Sequence, residues 1–146
     1  MKSIQRTLAI GVFALGTAAF AAGTQPVKTN EPAYNLATVV DVDGIVTAVR
    51  QAPAGSPLEG THLTVKTKGG LIDVYLGPSD FLRMLRTNFP VGGEVEVQGS
   101  KVKFENSDVI LTREIAVGQA VIDLRDVTGA PDWTNWGVEV DPSAVK

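Results

Sequence analysis

From Thr38 to Val49 the chain reads Thr-Val-Val-Asp-Val-Asp-Gly-Ile-Val-Thr-Ala-Val, rich in β-branched side chains and interrupted by Gly44. Such side chains suit a pleated, half-buried surface, and a glycine inside the run marks a bend or bulge, so the segment predicts one long, curved first strand. Gln51 to Gly60 holds two prolines and two glycines and reads as a loop. Beyond it His62, Thr64, Lys66 and Lys68 alternate with Leu63 and Val65, the signature of a half-buried strand. Lys68-Gly69-Gly70 supplies a tight turn, and Ile72, Val74 and Leu76 then alternate with Asp73 and Tyr75 to complete a hairpin.

The period changes after Leu76. Gly77-Pro78-Ser79-Asp80 offers helix-start chemistry, with Ser79 and Asp80 as capping residues, and Phe81, Leu82, Leu85 and Phe89 recur at helical spacing. This short helix stops before Pro90, whose ring disfavours helical geometry in the residue ahead of it. Val91-Gly92-Gly93 turns the chain, and Val95 and Val97 form one strand. Gly99-Ser100 separates it from a second, in which Val102 and Phe104 alternate with Lys101, Lys103 and Glu105. Asn106-Ser107-Asp108 turns into Val109 to Ala116, and a last run carries Ile122 and Leu124. Three strands, a helix, then further strands predict a mainly β fold: a small OB-fold-like Greek-key barrel with one short helix between strands three and four.

Gly70-Leu71-Ile72-Asp73-Val74, followed by Val91-Gly92-Gly93-Glu94-Val95-Glu96-Val97-Gln98-Gly99, resembles the small exported bacterial OB-fold proteins, the BOF-type family, and similar exported domains. The resemblance covers about a third of the chain, from Gly70 to Ile115. The chain departs from that family in its Gln51 to Gly60 insertion and its Trp-containing tail. The resemblance implies an envelope location and ligand or partner binding without catalysis, and it transfers no site residue.

The N-terminus is built differently. Lys2 and Arg6 precede an uncharged apolar run from Leu8 to Phe20, and Ala19-Phe20-Ala21 has the small-x-small form that a signal peptidase reads. Residues 1–21 are therefore expected to be an export leader cleaved after Ala21, with no membrane-spanning segment after it and a periplasmic or secreted destination. Residues 22–35, polar and with two prolines, read as a flexible segment. The barrel is expected over 36–127 and a tail over 128–146.

Cleavage takes Lys2 and Arg6 from 13 basic residues, leaving 11 against 16 acidic ones and a net charge of −5. An acidic domain disfavours nucleic acid as the main partner. Cysteine is absent and His62 is the only histidine, so disulfides and Cys/His zinc sites are excluded, and no cofactor is implied. Asp41-Val42-Asp43-Gly44 places two carboxylates on one side of a strand, but the oxygen ligands that a calcium loop needs at fixed offsets do not follow. Solvent-facing acids are the simpler reading.

Candidate binding chemistry is sparse. His62, Lys66 and Lys68 fall on one strand face with Tyr75 on the neighbouring strand, a candidate ligand-binding set for an anionic polysaccharide, peptidoglycan or another small ligand. Arg83, Arg86, Lys101 and Lys103 could extend it into a basic patch. Trp133 and Trp136 lie outside the strand pattern: they either fold back as a plug or form an aromatic arm that binds a protein partner. With no nucleophile–base pair in the sequence, the expectation is a non-enzymatic exported binding module, an accessory subunit engaging a protein partner or an envelope glycan.

Overall fold

The computed structural model describes residues 31–135. The expected leader 1–21, its cleavage site and Trp136 lie outside the described residues. A short 3-10 turn at Leu36–Thr38 leads into β1 (Val39–Ala52), followed by β2 (Gly60–Thr67), β3 (Gly70–Gly77), α1 (Ser79–Met84), β4 (Glu94–Phe104), β5 (Ser107–Val117) and β6 (Ala120–Asp123). The strands hydrogen-bond in the order β3-β2-β1-β4-β5-β6, and β3 also pairs in parallel with β5 from Asp73↔Val109 to Tyr75↔Leu111. That pairing closes β1 to β5 into a barrel, with β6 an added strand on β5 and one helix between β3 and β4.

The long first strand serves two neighbours. β4 pairs with it from Val39 to Ile45 and β2 from Ile45 to Ala52, so the chain changes partners at Ile45. Gly44 stands beside this handover, where a Cβ would come within 3.1 Å of the Lys66 carbonyl carbon and closer still to Val65 Cγ1. The bulge itself falls between Val46 and Ala48. The glycine thus serves close strand approach rather than forming the bulge.

Gly99-Ser100 does not separate two strands. β4 runs unbroken from Glu94 to Phe104, with an irregularity at Gln98/Gly99 where it bends around β5. A Cβ on Gly99 would sit 2.8 Å from Ile110 Cγ2, so the residue is glycine for closeness, not for a turn.

The helix is also shorter than its apolar spacing implies. It ends at Met84, Arg86 adopts a left-handed conformation (φ 52°), and only Phe81 and Leu82 of the helix are buried. Phe89 reaches the core from the following loop, while Leu85 stays 37% exposed. Ser79 does not cap: Pro78 holds the cap position, and the Ser79 hydroxyl donates to Gln51 Oε1 instead. Asp80 pairs with Arg83 at 3.0 Å.

Two cores result. Inside the barrel, inward-facing residues such as Leu63, Val65, Val74, Val97, Ile110 and Ile115 are essentially inaccessible, with Phe81, Leu82 and Phe89 packed against them. A second cluster of Leu58, Tyr75, Val109 and Leu111 is covered by Tyr34, Val102, Phe104 and Trp133. The ordered structure therefore begins before Leu36. Tyr34 packs on the second cluster, and the Asn35 amide donates to Ser100 Oγ at 3.0 Å.

Candidate binding cleft

A half-open cleft of about 970 Å³ lies between the 53–59 loop, the β2–β3 hairpin and the tip of the β4–β5 hairpin. Val40, Val42, Ile72 and Phe104 give it apolar wall, and Arg50, His62, Asp73, Lys101, Lys103 and Asp108 give it polar groups. Such a mixture of apolar surface and a few charged groups is the usual make-up of a recognition site.

Pairing register explains the polar cluster. Arg50 stands opposite His62, and His62 stands opposite Tyr75, so Asp73 is the diagonal neighbour of His62 across the hairpin. Arg50 donates to Asp73 Oδ2 at 2.7 Å, and His62 Nδ1 lies 3.0 Å from Asp73 Oδ1 and 3.2 Å from the Arg50 guanidinium. On its other side His62 Nε2 is 2.7 Å from the Leu58 carbonyl and must donate to it. Both ring nitrogens are thereby occupied, and the side chain is 3% exposed. His62 ties the 53–59 loop to the hairpin and keeps no free nitrogen for a ligand.

Tyr75 is also buried, at 3%, and its ring lies 4.9 Å from that of His62. Its hydroxyl donates to the Glu59 carbonyl at 2.8 Å. Alternation places Tyr75 on the His62 face, but at this end the outer face is a second core rather than a surface. Lys66 and Lys68 are brought to neither residue. They line a different opening, of about 920 Å³, together with Asp43, Glu94 and Glu96, so the expected four-residue set divides between two sites. Lys101 and Lys103 converge on Asp108, at 3.7 and 2.8 Å, and the Lys103 hydrogen bond holds the Asp108 carboxyl below its usual range.

Trp133 packs inward. Its ring stands edge-on to Tyr75 at 6.2 Å, tilted to Phe81 at 5.7 Å, and 4.8 Å from the Arg125 guanidinium, which also faces Tyr34 at 5.8 Å. Asp126 fixes the preceding turn by accepting from the Thr128 hydroxyl and amide and from the Ala130 amide, and these bonds lower its carboxyl from the usual value. Among the described residues no cluster of acids and histidine is arranged to hold a metal.

The two tyrosines give a pH test of this burial. Desolvation raises both Tyr34 and Tyr75 above the ordinary value of 10.0, with Tyr75 the more strongly shifted. A raised phenol contributes stability that is complete below the ordinary value and is lost as pH rises through the folded one. Melting temperature should therefore fall as pH climbs past about 10, because the unfolded chain ionises first. Tyrosinate absorbance should appear in urea-unfolded protein at a pH where the folded protein shows almost none, and Tyr75→Phe should flatten the alkaline decline. Equal titration of folded and unfolded chains would contradict the placement of both rings.

Arg50, Asp73, Asp108 and Phe104 were not singled out by the sequence. The Gly69-Gly70 turn fixes a register that already makes Asp73 a diagonal neighbour of His62, which is the signal that could have found it. A family model for the MamS/MamX magnetosome protein family matches residues 38–122, more than half of the chain and nearly all of the barrel. The chain belongs to the MamS/MamX magnetosome protein family. The match takes in every residue lining the cleft, whereas Tyr34, Arg125 and Trp133 lie outside it. No curated protein matches the chain. The resemblance to BOF-type proteins expected from the motifs around Gly70 and Val91 is not what the comparison shows: the family is the magnetosome one, and the chain itself is a small β-barrel.

Proposed function

We propose that this chain is a non-enzymatic accessory protein of the magnetosome, an exported OB-type barrel that binds a protein partner through the cleft between the 53–59 loop and the β4–β5 hairpin. Membership of the magnetosome family carries the reading. The strand order, with β3 parallel to β5 and a helix before β4, supports the OB assignment, and this cleft lies beside the strand and loop positions such barrels use for ligands. The basic N-terminus followed by an apolar run supports export. His62 supports a binding role over catalysis, because both its nitrogens are spent on structure. Phe104 among charged rim residues suits a non-obligate protein interface, with apolar surface inside a polar margin.

Tagged chain is expressed in a magnetosome-forming bacterium, cross-linked in place, and its adducts are identified by mass spectrometry. One stoichiometric protein is expected, lost with the paired substitution Lys101→Glu and Lys103→Glu. Both lysines are exposed and share their carboxylate partner with solvent, which screens the ion pairs, so the melting temperature should move little. Recovery of glycan fragments alone would transfer the assignment to an anionic polysaccharide, and an adduct unaffected by the double reversal would remove the cleft from it.

A further inference from the structure

Three strands lie side by side where β1 changes partners. Ile45 stands opposite Lys66 of β2 on one side and opposite Glu94 of β4 on the other, so one row across the sheet reads cation, isoleucine, anion. The row is on the outer face, because the sequence neighbours Val46, Val65 and Val95 are buried inside the barrel and successive strand residues alternate. The next row keeps the polarity. Asp43 stands opposite Glu96, and Lys68 follows Lys66 by two residues, at the hairpin turn. This face therefore has a basic half along β2 and an acidic half along β4, with Ile45 at its centre, 45% exposed.

These charges go unanswered within the chain. Lys66 and Glu94 are two strand spacings apart, roughly 10 Å, with Ile45 between them. Among the described residues Lys66, Lys68, Asp43, Glu94 and Glu96 form no ion pair, although all five border one opening of about 920 Å³. Arg50, Arg83, Lys101 and Lys103, by contrast, are each paired with a carboxylate at 2.7 to 3.7 Å. Asp43 and Glu96 also face each other directly, and like charges so placed repel unless a cation joins them. A surface divided into opposite halves about an apolar centre is complementary to itself. A two-fold axis lying in the interface and running along β1 through Ile45 sets Ile45 on Ile45 and Lys66 on Glu94 of the second copy, and the contact closes at two chains. A tilt of that axis toward β2 brings Lys68 over Asp43 of the second copy and Lys66 between its Glu94 and Glu96, so the repelling acids meet lysines.

We propose that two copies of this chain pair through the outer face of β2, β1 and β4, with Lys66 and Lys68 of each held by Asp43, Glu94 and Glu96 of the other around a central pair of Ile45 side chains. The opening has Thr67 alone in common with the cleft, so pairing and cleft binding use different surfaces.

Sedimentation of the chain purified from the expressing bacterium tests this. A dimer is expected at low salt, dissociating as salt is raised and the exposed charges are screened. Lys66→Glu and Glu94→Lys should each weaken it by about tenfold or more, because either reversal sets like charges together at both symmetric contacts. Mixed in equal amounts, the two variants should recover a dimer containing one copy of each, since every reversed charge then faces its complement. Both side chains are exposed, so melting temperatures close to the parent's are expected and will show that the single variants are folded. A parent chain that stays monomeric at high micromolar concentration and low salt, single variants that pair as the parent does, or folded variants that remain monomeric when mixed, each overturns the proposal.

Discussion

Gly60→Ala is expected to remove most of the protein's stability, because the methyl group it adds meets backbone on two sides. Gly60 opens β2 with φ 117°, a region that costs a side-chain-bearing residue about 1–3 kcal/mol. The added carbon would also stand 2.8 Å from Pro78 Cα and closer still to the Gly77 carbonyl, and both neighbours are backbone with no rotamer by which to yield. Gly77 cannot retreat, since it lies between Gly60 and the Trp133 ring, with φ 138° of its own. Strain and clash together should exceed about 4 kcal/mol, within a total of about 5–15 kcal/mol for a domain of this kind. Circular dichroism should show a melting temperature lowered by roughly 20 °C or no transition at all. A variant melting within a few degrees of the parent would mean that the ends of β2 and β3 do not cross this closely.

Most of the barrel was legible because its strands alternate. The β2–β3 hairpin, its Lys68-Gly69-Gly70 turn and the single helix before β4 follow from periodicity and turn chemistry, which are local properties. Where the reading failed, the deciding contact came from far along the chain. Gly99-Ser100 resembles a turn, yet the glycine is there because Leu111 of β5 passes against it. His62 and Tyr75 sit on the polar side of their strands, and alternation leaves that side to solvent. Leu58 from the loop, Val109 and Leu111 from β5, Tyr34 from the N-terminal side and Trp133 from the tail cover it instead. The parallel β3–β5 pairing that brings Val109 and Leu111 beside Tyr75 has no signature in either strand. The cleft was half-legible for the same reason: its lysines were visible as charges, but their convergence on Asp108 depends on the β4–β5 register.

Trp133→Ala should destabilise the protein by about 3 kcal/mol, the lower end of the range for deleting a large aromatic side chain, because the indole is only partly buried. Its position makes the loss more than local. Trp133 packs against both the barrel interior and the outer cluster, so it is the side chain through which the two cores meet. It also provides one face of the site that holds Arg125, whose guanidinium lies between the rings of Trp133 and Tyr34 and donates to the Gly129 carbonyl at 3.0 Å. Burial already works against that charge and lowers the Arg125 pKa from its ordinary value. A cation over a desolvated ring is worth up to about 2 kcal/mol, and removing the indole forfeits it at a guanidinium whose Nε is already buried without a hydrogen-bond partner in the native protein. Trp133→Phe keeps an aromatic face and should cost less than half as much by urea unfolding. A purely peripheral tryptophan would give two small and equal losses, whereas an alanine loss of about 3 kcal/mol, mostly restored by phenylalanine, marks the ring as the joint between the cores.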